Sequence, residues 1–301
     1  MMERTLPPFL RKIYPFQRHY VKLRNGPTMH YIEEGSGETV LFLHGHPTWS
    51  FFFRNLILSL RPDFRCIAID HIGYGLSDKP KSYRYNIKTH IEDAICFAEV
   101  KRFKKFHIVA QDFGAVVALA MAERWPERIS SMSFLNSAAF ALPRLPTVIL
   151  LFKFPLFTFL CARLFNLFTR VCLHLGTFSM LDGDVVNGFL WPYRKFSNRM
   201  AIAAGIDDIP WLSDHPSLEI LNTIGKKAFI LCNKKIKFFW ADDDFHYNFN
   251  VLKAWGKVLP NASYKRYQMV GHFLLEDSTE AIKDIRTFIY SARNIEKHLF
   301  K

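Results

Sequence analysis

The sequence predicts an α/β protein built on a mostly parallel sheet of eight strands, and three observations predict it. Short apolar runs rich in β-branched and aromatic residues recur along the chain, as strands buried on both faces require. Helical patterns separate these runs up to Leu135 and again beyond Glu219, the alternation that crossover connections impose. Between those points the alternation stops, so an all-helical segment is expected to be inserted after the sixth strand. A chain of 301 residues, 50% of them hydrophobic, can bury a core of that size.

Taken in order, the first strands are expected at His19–Leu23 and Thr28–Glu34, with Asn25-Gly26 between them as a hairpin signal. The continuous run Thr39–His44 is the third strand. It leads into His44-Gly-His-Pro-Thr-Trp-Ser50 and a helical pattern over Phe51–Leu60. Cys66–Asp70 is the fourth strand and ends in His71-Ile-Gly-Tyr-Gly-Leu-Ser-Asp78, followed by a helix at about Ile87–Phe103. Phe106–Ala110 and Ile129–Leu135 are the fifth and sixth strands, flanking a helix that starts at Gly114 and stops at Pro126. After the insertion come a helix at Leu218–Cys232 flawed by Gly225, the strand Ile236–Trp240, and a helix around Asn250–Val258. The strand Ser263–Tyr267 and a last helix at about Thr279–Ser291 complete the pattern. The organisation expected is a core at 1–136 and 217–301, with a helical cap at 137–216.

The cap is apolar and aromatic. Leu145–Ala162 has the composition of a membrane span, but Lys153 at its centre and Pro155 beside it argue for a greasy cap over the sheet. Peripheral membrane contact by the cap's outer side is a second expectation. The formal net charge of +13 suits loose attraction to anionic surfaces. The basic run Lys101–Lys105 is short and precedes a buried strand, so no nucleic-acid partner is expected. Five cysteines without C-x-x-C spacing point to a reducing cytoplasm. The N-terminal MMERTLPPFLRKIYPF has Glu3 and a proline pair where an export signal needs an apolar core.

One stretch carries the chemistry. Ala110-Gln-Asp-Phe-Gly114 sets a carboxylate at a strand-to-helix corner, with small residues two positions to either side. That is the small-x-nucleophile-x-small pattern of a nucleophile elbow. By itself the stretch admits two readings, Asp112 as nucleophile or Asp112 as the cap of the following helix. Order decides between them. An acid within Asp242–Asp244 and a histidine at His272, each after a later strand, complete a nucleophile–acid–base order. No metal site or cofactor is expected, since His44 and His71 have no further ligand at helical spacing. Gly73 and Gly75 read as a tight turn.

With these residues in hand, the chain resembles the haloalkane dehalogenase-like branch of the α/β-hydrolases, above all the β-lactone decarboxylases of long-chain olefin biosynthesis. The matching stretches are Tyr14-Pro-Phe-Gln-Arg-His-Tyr20, His44-Gly-His-Pro-Thr-Trp-Ser-Phe51 with Arg54-Asn-Leu56, and Asp70–Pro80. Further on they are Leu135–Phe140, Pro192-Tyr193, Asn198-Arg199, Asp208-Ile-Pro210 and Gly271–Asp277. The resemblance implies Asp112 as nucleophile, His272 as base and Asp244 as acid, because Asp244 lies four residues after Trp240. The other place such folds keep the acid holds Asn136-Ser137, which offers no carboxylate. It also implies an oxyanion hole from the backbone N–H groups of His46 and Phe113, and substrate contacts from Trp49, Phe140 and Tyr193.

Two positions depart from the branch. Phe113 replaces the usual Trp and His46 the usual Asn, both halide donors in the dehalogenases, and the same pair departs from typical β-lactone decarboxylases. Phe113 has no donor, while a histidine at 46 can donate. The implied activity is covalent catalysis on a small apolar substrate, a long-chain β-lactone opened and decarboxylated to a cis-olefin. Haloalkane or epoxide hydrolysis is the alternative, although Tyr193 is the one obvious cap tyrosine where epoxide opening uses two. A further alternative is a non-catalytic, membrane-associated lipid-binding protein. Assembly with olefin-pathway enzymes is the partner that the resemblance adds.

Overall fold

The structure, a computed structural model, describes residues 5–24, 26–142, 144–210 and 214–298. Eight strands form one sheet in the order β1-β2-β4-β3-β5-β6-β7-β8. They are β1 (Arg18–Lys22), β2 (Thr28–Glu34), β3 (Thr39–Leu43), β4 (Arg65–Ile69), β5 (Phe106–Gln111), β6 (Ile129–Leu135), β7 (Lys235–Ala241) and β8 (Ser263–Tyr267). The pairs β1–β2 and β2–β4 are antiparallel, and every later pair is parallel. Every residue of β3 and β5 is buried, which explains why those two read as unbroken apolar runs rather than alternating ones. In the expected hairpin, Gly26 turns at φ 111°, and Asn25 lies outside the described residues.

Helices cover both faces, and the expected positions need small corrections. The pattern at Phe51–Leu60 is a 3-10 turn, Ser50–Phe53, running into an α-helix, Arg54–Leu60. The helix expected to Phe103 stops at Val100, and Arg102 turns left-handed at φ 54°. The helix flawed by Gly225 ends at Lys227 and closes as a 3-10 turn over Ala228–Leu231. The last helix continues to His298.

Between β6 and β7 the insertion forms short helices: Thr147–Phe152, Pro155–Phe157 running into a π-helical turn at Thr158–Leu164, Leu167–Leu175, Gly183–Leu190 and Met200–Asp208. The span-like stretch Leu145–Ala162 is broken at Lys153-Phe154, since Pro155 has no N–H to continue the ladder and pushes its predecessor out of the helical region. Lys153 turns its ammonium onto the carbonyls of Ile206, Asp207 and Ile209, at 3.0, 2.9 and 2.6 Å. Among the described residues no single helix is long and apolar enough to cross a membrane, although Pro155–Leu164 and Leu167–Leu175, bent by 84°, pass that test of length and composition together.

Buried polar contacts fasten the parts. Asp70 accepts from the amides of Ser50 and Leu76 at 2.8 and 2.7 Å and meets His30 Nδ1 at 2.7 Å. A Cβ on Gly75 would lie 2.1 Å from that carboxylate, so the glycines after β4 serve the tight turn expected of them. The Arg54 guanidinium grips Glu276 with two bonds, at 2.5 and 2.7 Å, and both side chains are buried. This pair ties the loop after β8 to the unit after β3. Replacing Glu276 by Gln leaves a buried cation half-paired, and the expected cost is about 3 kcal/mol, read as a lower midpoint in urea unfolding.

Candidate active site

Asp112 stands at the corner between β5 and the helix Gly114–Arg124, with φ at 54°, the left-handed region that non-glycine residues seldom occupy. Two glycines make the corner possible. A Cβ on Gly114 would lie 2.3 Å from the Leu43 carbonyl oxygen, and one on Gly45 would lie 2.3 Å from Asp112 Cβ and 2.4 Å from Gln111 Oε1. The residue at the helix N-cap is Phe113, so the capping alternative for Asp112 does not hold.

The three expected residues meet here. His272 Nδ1 lies 2.8 Å from Asp244 Oδ2, and His272 Nε2 lies 3.5 Å from Asp112 Oδ2. All three are buried. Asp242 is spent on Arg266 at 2.7 Å and Asp243 on the Met269 amide at 2.8 Å. Neither of those two caps a helix, since Asn248 caps the next one. Asn136 uses its carboxamide to bridge to Ala241, at 3.0 and 2.7 Å, and so stitches β6 to β7.

Burial works against the charged form of Asp112. The hydrogen bond and charge of His272 outweigh it and set the carboxyl below its usual range. Burial also disfavours a cationic His272, but the Asp244 and Asp112 carboxylates overcome this and raise the ring to about 10. Two carboxylates facing one imidazole thus favour its protonated form.

Sequence reasoning missed two residues at this centre, Tyr247 and Gln111. The Tyr247 hydroxyl donates to Asp112 Oδ1 at 3.2 Å, and the Phe113 amide donates to the same oxygen. The Gln111 carboxamide ends 2.6 Å from His272 Nε2, its oxygen suiting a protonated ring and its N–H a neutral one. Gln111 could have been suspected as the neighbour of Asp112. Tyr247 lies in an irregular loop after Asp244, where no periodicity announces a side chain's direction.

Of the two amides expected to form an oxyanion hole, that of Phe113 donates to Asp112 Oδ1. The His46 amide is not among the donors to Asp112 in the described residues. Its ring is informative: His46 Nδ1 lies 2.9 Å from the Tyr74 hydroxyl, whose own proton goes to the Ala201 carbonyl at 3.1 Å. His46 is therefore the donor in that pair, and burial lowers it to about 4, so the ring is neutral. Its Nε2 is then a lone pair without a partner among the described residues, and the expectation that His46 can donate to a halide is corrected.

Above Asp112 lies a cavity of about 1020 Å³ including its mouth. Asp112, His272, Tyr247, His46, His90 and His246 make its polar end, and Phe113, Phe140, Leu142, Leu145, Ile149 and Phe168 are part of its apolar wall. Phe140 thus lies where expected. Trp49 and Tyr193 do not line the cavity; both are fully buried staples between cap and core. Trp49 Nε1 donates to the Gly188 carbonyl at 3.2 Å, and the Tyr193 hydroxyl donates to the Thr48 carbonyl at 3.1 Å while accepting from the Gly75 amide. No group of three or more metal-ligating side chains occurs among the described residues.

This sheet order and this corner define an α/β-hydrolase, and a family model of the alpha/beta hydrolase fold matches residues 38–279. The chain belongs to that family and is an enzyme of its haloalkane dehalogenase-like type. The cis-3-alkyl-4-alkyloxetan-2-one decarboxylase of Shewanella oneidensis is 32% identical over 288 residues, 93% of this chain and 90% of that one. Its namesake from Xanthomonas campestris pv. campestris is 26% identical over 290 residues, 92% and 97% of the two chains. In fold, the haloalkane dehalogenase DbeA from Bradyrhizobium elkani superposes with a TM-score of 0.83 at 22% identity, covering 93% of this chain and 99% of that one.

The glycine at 45 sets the position of Asp112. Gly45→Ala is expected to displace the carboxylate and to slow covalent modification at Asp112 by about 100-fold. Single-turnover labelling with an alkyl iodide, followed by peptide mass spectrometry, measures this.

Proposed function

We propose that this enzyme opens a long-chain, cis-disubstituted β-lactone with Asp112 and releases a cis-alkene and carbon dioxide. The observation that carries the reading is an ionised carboxylate, one oxygen held by two donors and the other beside His272, at the closed polar end of an apolar cavity. The relatives named for oxetan-2-ones, four-membered β-lactones, supply the substrate class.

Asp112 Oδ2 attacks the saturated ring carbon bonded to the ring oxygen. The C–O bond breaks, its electron pair stays on oxygen as a new carboxylate, ring strain is released, and the carbon is inverted. The C–C bond to that carboxylate then supplies the pair for the double bond, carbon dioxide leaves, and the C–Oδ2 pair returns to Asp112. Inversion followed by anti fragmentation turns a cis ring into a cis alkene. No water is consumed, so a protonated His272 is compatible with both steps and favours the ring carboxylate as it forms.

Tyr247 serves the second step. Its proton sits on Oδ1, the carbonyl oxygen of the covalent ester, where negative charge returns during fragmentation. A bond that strengthens in that direction speeds breakdown more than formation. Burial holds the phenol well above its usual pKa, so it stays a donor.

Haloalkane hydrolysis on the same residues is the second reading, favoured by the dehalogenase relatives. Esterifying Asp112 removes one of the two charges that raise His272, which makes the ring a base only after the covalent step. Against this reading, neither Phe113 nor the neutral His46 offers a donor to a departing halide. A missing charge-assisted bond costs about 1.5–3 kcal/mol.

A synthetic cis-3,4-dialkyl β-lactone is expected to yield the cis-alkene by gas chromatography with wild type and none with Asp112→Ala; halide release outpacing alkene formation decides for the second reading. Tyr247→Phe should lower turnover about 10- to 100-fold while the ester on Asp112 accumulates. Unchanged adduct levels in rapid-quench mass spectrometry would remove Tyr247 from the mechanism. The pH dependence follows from direction. With its pKa lowered, Asp112 stays ionised down through the ordinary carboxylate value, so its labelling should be flat from about pH 5 to 8 and fall only at more acid pH. A rate rising through about pH 6.5 would mean that a neutral histidine is required first.

A further inference from the structure

The cap's outer surface has a composition that its place in a globular fold does not explain. In the continuous turn from Pro155 to Leu164, Thr158 and Ala162 face inward and are buried. Leu156, Phe159, Leu160 and Leu164 recur at helical spacing on the opposite side and are exposed, Leu156 at 72%. Phe154 and Phe165 at the two ends are exposed at 62% and 67%. A helix covering a core normally does the reverse, with large apolar residues inward and polar ones out. Monomeric proteins seldom leave such a contiguous patch without a use.

The charge around the patch names the occupant. From Ile129 to Leu181 the chain holds no aspartate or glutamate, and its charged residues are Arg144, Lys153, Arg163 and Arg170. Arg163 stacks on Phe196 at 4.3 Å, and Phe196 meets Phe159 at 6.1 Å, so the patch extends across two elements with a cation at its edge. Arg170 is exposed one turn beyond Leu167, itself exposed. Asp207 is a carboxylate in the groove that Pro155, Phe159 and Arg163 line, and against it stand Arg163, Arg170 and Lys153, so cations outnumber it. Apolar side chains set among an excess of cations fit the interface of a bilayer with anionic headgroups. The patch also lies one helix away from the cavity: Thr147–Phe152 turns Ile149 into the cavity wall and Leu151 out to solvent.

We propose that this face of the cap docks peripherally on an anionic lipid surface, with Leu156, Phe159 and Phe165 entering the acyl boundary and Arg163 and Arg170 meeting the headgroups. Docking there sets the cavity next to the phase in which a long-chain substrate dissolves. The benefit rests on the reading above, but the docking does not, and the two are tested separately.

The test is flotation of the full chain with vesicles of phosphatidylcholine alone or mixed with phosphatidylglycerol, at low and high salt. Wild type should float with the mixed vesicles, less at high salt and less without phosphatidylglycerol. The variant Leu156→Ser/Phe159→Ser/Phe165→Ser should lose about tenfold or more in binding, while its turnover of a short, water-soluble β-lactone stays as in wild type. These residues are exposed and lie outside the cavity wall, so the variant's thermal midpoint should equal or exceed that of wild type. Absence of wild-type flotation, or equal flotation of the variant, overturns the proposal. So does self-association of wild type in size-exclusion chromatography that the variant abolishes without any vesicle binding, since the face is then a protein interface. Vesicle binding without turnover of any β-lactone leaves the docking standing and removes the proposed reaction.

Discussion

The site depends on one close contact, the packing of the Asp112 corner into the loop after β3. Strands β3 and β5 are neighbours, so their C-terminal ends deliver Gly45 and Asp112 to the same point. No side chain fits between them. Gly114 touches the Leu43 carbonyl from the other side of the corner, so the helix N-terminus and the carboxylate are pressed onto one backbone segment. A left-handed aspartate is strained by about 1–3 kcal/mol, and it persists because the strands on both sides leave it no other course. With β5 buried along its whole length, the corner inherits the rigidity of the sheet.

Electrostatics then act on a carboxylate that cannot move away. The surroundings of Asp112 include five buried or partly buried histidines besides His272, and burial disfavours charge on His44, His46, His71, His90 and His246 alike. The positive charge is thus confined to His272, where Asp244 and Asp112 both face it. A site with one cation placed by two anions differs from a generally basic pocket. With two carboxylates facing one imidazole it is net negative in either protonation state of His272, even though the chain carries a formal charge of +13.

Most of the fold was legible because the parallel strands advertise themselves. Thr28–Glu34, Ile129–Leu135 and Ser263–Tyr267 fall where the pattern put them, and the others shift by one residue at one or both ends. The corner was legible as well, since the tight approach of Ala110 and Gly114 leaves a trace in composition. Choosing Asp244 over Asp242 and Asp243 needed the resemblance; the structure adds that the two neighbours are occupied by Arg266 and the Met269 amide. Contacts carried by loops were not legible. Tyr247 and Gln111 reach the centre through chain directions that no period encodes. Trp49 and Tyr193 were mistaken for cavity residues because aromatic residues near a site are as easily staples as walls. The tautomer of His46 depends on Tyr74 and Ala201, far away in sequence, and only geometry reveals it.

The cap joins these levels. Its helices are short because prolines and Lys153 interrupt them, and short helices cannot each hide a full apolar stripe. Such a layer must be fastened by specific bonds rather than by area. Arg199 does this by donating to the carbonyls of Arg163, Leu164, Tyr193 and Arg194. Fastened in that way, the layer can be apolar on both sides, one facing the cavity and one facing out. An exposed apolar face lowers solubility unless something covers it, and the cationic rim restricts what can do so. One layer thus presents Ile149 and Phe168 to the cavity and Leu151, Phe159 and Phe165 to the outside, and the short helices that allow the first arrangement also produce the second.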